Sequence, residues 1–178
     1  MEVAARILAR TLTPFGRCDL TRWGRSIGIM PVIGVTKFER FFRLAASVDV
    51  DKDDLKRYQE FVYQKMYDLL LMGQATAKAN NRDVLEPWDL PITKGLQERI
   101  HEFRDIDAEV ELAPILENLA ARPPLDVALS EQTQARLVPL VGAVSVALAR
   151  TFKILDPDVK NPRTEHWDRA THIFDLLL

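Results

Sequence analysis

The sequence predicts an all-α fold assembled from two half-length repeats, each running short helix, loop, long helix, loop, short helix. Three observations predict it. Two long apolar-periodic segments, about residues 52–79 and 131–155, each follow a residue suited to cap a helix, Asp51 and Ser130. Shorter periodic segments flank both of them. A Glu-x-Trp-Asp tetrapeptide also recurs, Glu86-Pro87-Trp88-Asp89 and Glu165-His166-Trp167-Asp168, at an offset of 79 residues. At that offset Val48 falls on Val127, Val50 on Leu129, Val62 on Val141 and Leu69 on Leu148. One duplication accounts for all of these matches.

Residues 1–30 read as a basic N-terminal extension expected to lack fixed structure. Val3, Ile7 and Leu8 have helical spacing, but Pro14, Gly16, Gly24 and Gly28 then interrupt an arginine-rich run. The first repeat is expected over residues 31–107. Its opening helix starts at Thr36, with Glu39 completing a capping box and Phe38, Phe41, Phe42 and Ala45 on one face. "SVDVD" reads as a stub of strand. The long helix from Lys52 to Ala79 carries Asp53 and Asp54 in its first turn, where the helix dipole favours them. Asp53, Arg57, Glu60, Gln64 and Asp68 form a single wetted stripe, so the rest of its circumference must be packed on more than one side. A second stub follows in "NNRDVL", then a short helix from about Trp88 to Phe103.

A linker near Arg104 to Asp107 leads to the second, divergent repeat over residues 108–178. Here "AEVELAPILENLAA" is the short helix, "DVALS" the stub, residues 131–155 the long helix, "DPDVKN" a loop and "TEHWDRATHIFDLLL" the closing helix. A long helix that is apolar on several sides needs another long helix across it. The second repeat supplies that partner at an effective concentration of about millimolar or more.

This order of elements resembles the histone fold, and Arg82 seven residues before Asp89 resembles the arginine–aspartate clamp of histones. The stretches "GVTKFERFFR", "DVDKDDLKR", "ATAKAN" and "WDLPITKGLQE" are similar to an uncharacterised bacterial family in which one chain holds two histone folds. The resemblance covers about residues 31–178 and is strongest over 31–104. It implies two tandem histone-fold units clasped as an intramolecular handshake pseudo-dimer. At each corner Trp88 or Trp167 would wedge beside the long helix, and Asp89 or Asp168 would charge the first turn of the last helix. Asn161 stands where the second repeat would need a counterpart of Arg82, so that clamp is missing there or replaced through Lys160 or Arg163.

Length and composition narrow the function. A chain of 178 residues buries roughly 70% of its unfolded surface, so it needs no disulfide or metal to fold. Its lone cysteine, Cys18, fits a reducing cytoplasm. No signal peptide is expected, and "LVPLVGAVSVALA" reads as a buried core helix, so no membrane partner is expected. His101, His166 and His172 are not at metal-ligand spacing, and no phosphate loop or nucleophile motif appears. "DVDKDD" lacks the glycine and terminal glutamate of a calcium loop. The expectation is a non-enzyme with no cofactor, no metal and no small-molecule substrate.

Sequence-nonspecific binding of double-stranded DNA through its phosphates is the leading expectation, implied by the resemblance. It would place the protein in the cytoplasm on the nucleoid. Lys37, Arg40, Arg43, Lys78 and Arg82 lie where histones hold phosphates. The charge distribution is uneven. Residues 1–43 carry eight basic and three acidic residues, whereas residues 44–178 carry 16 basic and 23 acidic. A polyanion would therefore meet the body unfavourably. The competing expectation is a histone-fold interaction or assembly module with a protein partner or a second copy, which suits the acidic loops and the closing "IFDLLL".

Overall fold

The computed structural model describes residues 32–117 and 125–177; these belong to a compact unit that begins at Pro31. The expected extension over residues 1–30, with Cys18, lies outside the described residues. The fold is all-α, with six α-helices and two very short strands among the described residues. The long helices have the expected bounds. Helix α2 spans Lys52–Ala79, behind a capping box in which Asp51 accepts from the Asp53 and Asp54 backbone N–H groups and Asp54 accepts from that of Asp51. Helix α5 spans Glu131–Leu155 behind Ser130, whose Oγ accepts from Thr133 N–H at 3.2 Å.

The short elements differ more from expectation. Helix α1 is Val32–Ala46, so Thr36 lies inside it rather than capping it. Residues 48–51 form no strand; Asp49 N–H donates to the Lys160 carbonyl at 2.6 Å and ties that loop to the one before the last helix. Strand β1 is Val84–Leu85. Pro87–Asp89 then makes one 3-10 turn, and α3 begins only at Lys94, capped by Thr93 Oγ1. It runs to Val110, because the apolar spacing of Ile100, Phe103 and Val110 carries through the expected linker. The expected boundary after Asp107 therefore falls inside α3. The chain turns at Glu111, in the left-handed region at φ 52°, and Asp107 Oδ1 accepts from the Leu112 and Ala113 N–H groups to start α4, a single turn at Ala113–Leu116. Strand β2, Ala128–Leu129, and α6, Thr164–Leu177, complete the order.

Helix α5 lies at the centre. Leu140, Val141, Ala143, Val144, Val146, Leu148 and Ala149 are all buried, and its backbone at Gly142 approaches α3 so closely that a Cβ there would overlap the Phe103 ring. By length and composition α5 matches a membrane-spanning helix, yet most of it is buried in the protein. The two long helices touch where Tyr58 and Ser145 join at 2.7 Å. Ser145 gives its own proton to the Val141 carbonyl, so Tyr58 is the donor. From α1, Phe38 and Phe42 pack edge-on against Tyr58 at 4.2 and 5.9 Å.

The ends of the two long helices are tied reciprocally. The loop before α2 meets the loop before α6 through Asp49 and Lys160. The loop before α5 meets the loop after α2 through the parallel pair β1–β2, with Val84 opposite Ala128 and Leu85 opposite Leu129.

Candidate functional site

The loop-to-helix corners carry the repeated tetrapeptide. In the first, Arg82 and Asp89 form a two-pronged pair, Nη1 to Oδ2 at 2.6 Å and Nη2 to Oδ1 at 2.5 Å, and Asp89 also accepts from Glu86 N–H at 2.9 Å. The Asp89 side chain is 1% exposed. The Arg82 hydrogen bond outweighs burial and holds the Asp89 carboxyl below the usual carboxylate range; the same bond raises Arg82. Trp88 does not wedge beside α2 as expected. It is 71% exposed, because the turn that aims Pro87 and Asp89 inward leaves it facing out.

The second corner is built the other way. Trp167 is 4% exposed, packs edge-on against Phe152 at 4.9 Å, and donates its indole N–H to Asp54 at 2.9 Å. Being inside a regular helix, it shares a face with Ala170 and Phe174. Asp168, one position on, is exposed and joins no clamp. Neither Lys160 nor Arg163 replaces Arg82: Arg163 uses its backbone N–H on His166 Nδ1, and Lys160 its carbonyl on Asp49. Burial raises the Asp54 carboxyl above its usual range.

The five cations expected to meet phosphate lie on α1, in the last turn of α2 and in the loop that follows it, and every one has an acid against it. Lys37 lies 3.6 Å from Glu111 and also donates to its carbonyl, Arg40 lies 3.8 Å from Glu109, and Arg43 bonds Asp49 at 2.6 Å. Lys78 bonds Asp126 at 2.6 Å, and Arg82 holds Asp89. At the end where the first and last loops meet, a groove of about 850 Å³ is lined by Asp51, Asp53, Asp54, Asp156 and Asp158 against Arg57, Lys160 and Arg163. Acids outnumber cations there.

Sequence reasoning missed Lys65. It is buried, and it donates to Asp175 at 2.6 Å and Asp68 at 2.9 Å, tying α2 to α6. Burial pushes its pKa down, but those two bonds carry it up. Its place on the buried face with Tyr58, Phe61 and Leu69 was the available signal. His101 bonds Gln97, His166 faces Asp156 at 3.5 Å, and His172 is exposed. Among the described residues no group of three or more His, Cys, Asp or Glu is placed to hold a metal ion, and no buried side-chain polar atom lacks a partner.

A family model described as a domain of unknown function, DUF1931, matches residues 38–175. The chain belongs to this family. A Thermus thermophilus protein of known crystal structure is 51% identical to this DUF1931 chain and superposes with a TM-score of 0.73, over 85% of this chain and all of that one. A crystal structure of an Aquifex aeolicus protein, 23% identical, has a TM-score of 0.71 over 82% of this chain and 95% of that one, and shares the fold. An Aquifex aeolicus (strain VF5) protein described as uncharacterized is 25% identical over 142 residues, covering 80% of this chain and 82% of its own.

Proposed function

We propose that this DUF1931 chain is a pair of histone folds clasped within one polypeptide, and that it works as a non-catalytic protein-interaction module. The order short, long, short helix in each half supports the fold reading. So do the reciprocal loop pairings at β1–β2 and Asp49–Lys160 and the Arg82–Asp89 clamp.

The observation that carries the functional reading is the pairing of Lys37, Arg40, Arg43, Lys78 and Arg82 with acids of the same chain. A phosphate would have to displace those acids, and they would remain within about 10 Å to repel it. Each phosphate contact contributes about −0.9 to the salt slope of binding, so five cations already held by acids have little to gain. Trp88, exposed at the corner, is the residue type that anchors protein interfaces. Duplex binding is the second reading, favoured by Arg6, Arg10, Arg17, Arg22 and Arg25 in the N-terminal segment.

Titrating fluorescent duplex DNA with the full chain at about 50 and 200 mM salt tests the proposal. The expected result is that replacing Lys37, Arg40 and Arg43 with alanine changes nothing. Steeply salt-dependent retention that disappears in that variant overturns it.

A further inference from the structure

Helix α6 begins without a capping side chain ahead of it. The residue before its first turn is Arg163, which has no side-chain oxygen to offer, and Thr164 already lies within the helix. The Arg163 N–H is instead taken from inside the helix, by His166 Nδ1 at 3.1 Å. This is the returning half of a capping box, in which a side chain three residues on accepts from the cap residue; glutamate or glutamine ordinarily holds that place. At the first corner Asp89 holds it, taking the Glu86 N–H at 2.9 Å. Glu86 matches Glu165 in the repeated tetrapeptide, yet the cap at the second corner is Arg163, two residues earlier. That slip puts a histidine where the first corner has an aspartate.

The bond fixes the protonation of the ring. A backbone N–H can only donate, so Nδ1 is the bare nitrogen of a neutral imidazole and Nε2 carries the proton. Nε2 faces Asp156 Oδ2 at 3.5 Å, while Oδ1 of that carboxylate accepts from the Asp158 N–H at 3.0 Å. A second proton would have to enter on Nδ1. There it would stand against the Arg163 N–H, donor against donor, and the cap would be lost. Histidine is the side chain whose charge ordinarily changes between about pH 5 and 8. Asp89, held low by Arg82, stays charged throughout that range.

The charges around the ring set where it goes. Asp51, Asp53, Asp54 and Arg57 face the loop-end groove from the start of α2, Asp156, Asp158 and Lys160 from the loop after α5, and Arg163 from the start of α6. Glu165, beside the ring on α6, lies 4.0 Å from Arg169. Asp51 is engaged by the first-turn N–H groups of α2 and Asp54 by the Trp167 indole. Asp156 is the carboxylate that His166 already faces. A charged ring is also disfavoured at the positive end of the helix dipole. Both effects draw the imidazolium off its cap and toward Asp156.

We propose that His166 is a pH-sensitive cap: on protonation it releases the Arg163 N–H, turns to Asp156, and loosens the first turn of α6 where that turn walls the loop-end groove. Trp167, packed on Phe152 and bonded to Asp54, keeps the rest of the helix in place. The first corner, capped by a carboxylate, holds over the same range. The device does not depend on what the loop end binds.

NMR of the 15N-labelled full chain, titrated from about pH 8 to pH 5, tests it at the His166 ring nitrogens and the Arg163 amide. At the alkaline end Nδ1 is expected to be the unprotonated nitrogen. The Arg163 amide shift should then move with the same midpoint as the ring. Its exchange protection, corrected for the intrinsic rate, should fall about fivefold, the worth of one helix cap. His166→Gln keeps an acceptor that does not titrate, so its Arg163 amide should hold its shift and protection throughout. Because that variant retains His101 and His172, it also separates their titration from that of His166. A proton on Nδ1 at pH 8, a ring that stays neutral to pH 5, an Arg163 amide indifferent to the ring, or the same transition in His166→Gln overturns the proposal. The ring and amide readings in the wild type decide the matter even if the variant fails to fold.

Discussion

The two halves of the molecule spell the same corner and fold it inside out. At the first corner the acid is buried and the tryptophan exposed; at the second the tryptophan is buried and the acid exposed. The difference is set by what the rest of the chain brings to each place. Arg82 reaches Asp89, so that carboxylate can be buried with its charge answered. The matching position in the second half is Asn161, which carries no charge, and burying Asp168 unpaired would be costly. The third residue of the facing long helix differs in parallel. In α2 it is Asp54, an acceptor that takes the Trp167 indole N–H; in α5 it is Thr133, whose hydroxyl instead donates to the Leu85 carbonyl at 2.8 Å. A repeated motif thus fixes where the corner is. Its neighbours decide which member goes inside.

The largest test of that comparison is Trp167→Ala. It removes a ring packed on Phe152 and takes the indole donor from the buried Asp54 Oδ1, so chemical denaturation should show a loss of about 3–5 kcal/mol. Trp167→Phe keeps a ring, loses the hydrogen bond, and should cost less. Asp89→Asn comes next. It loses a charge-assisted pair and weakens the bond to Glu86 N–H, for about 2 kcal/mol by the same measurement.

Acid titration of stability separates the two carboxylates by sign. The Arg82 bond lowers the Asp89 pKa in the folded chain below the ordinary value of about 3.9, so its contribution is present above that value and is lost as pH falls through the folded pKa. Burial raises Asp54, so its contribution is fully present below about 3.9 and is lost as pH rises through the folded pKa. Relative to wild type, Asp89→Asn should cost most near neutral pH and least in acid. Asp54→Asn should show the reverse. Parallel slopes for the two variants would remove the electrostatic half of the comparison.

What could be read from the sequence was what local spacing determines. The caps Asp51 and Ser130 and the apolar periods after them fix α2 and α5 to the residue. The Arg82–Asp89 clamp was legible through the resemblance of its seven-residue spacing to the clamp of histones. The start of α3 was not, since Pro87 and Pro91 each resemble a first-turn proline while the true cap is Thr93. The fate of Trp88 was hidden because it depends on groups far off in sequence. The same holds for the candidate cations: Glu111 lies 74 residues from Lys37, and Asp126 lies 48 from Lys78. Net charge indicated an acidic body. Only the fold shows which acid stands at which cation.

The smallest expected effect sharpens the contrast from the other side. Trp88 shares its flanking acid with Trp167, yet it contributes little to the core, so Trp88→Ala should change folding stability by no more than about 0.5 kcal/mol. Acrylamide quenching gives an independent measure. Removing Trp88 should abolish the strongly quenched emission it contributes, whereas the buried Trp167 should be nearly inaccessible to the quencher. A loss of stability at Trp88 approaching that at Trp167 would mean that both rings wedge into the core in solution, and that the two corners are alike after all.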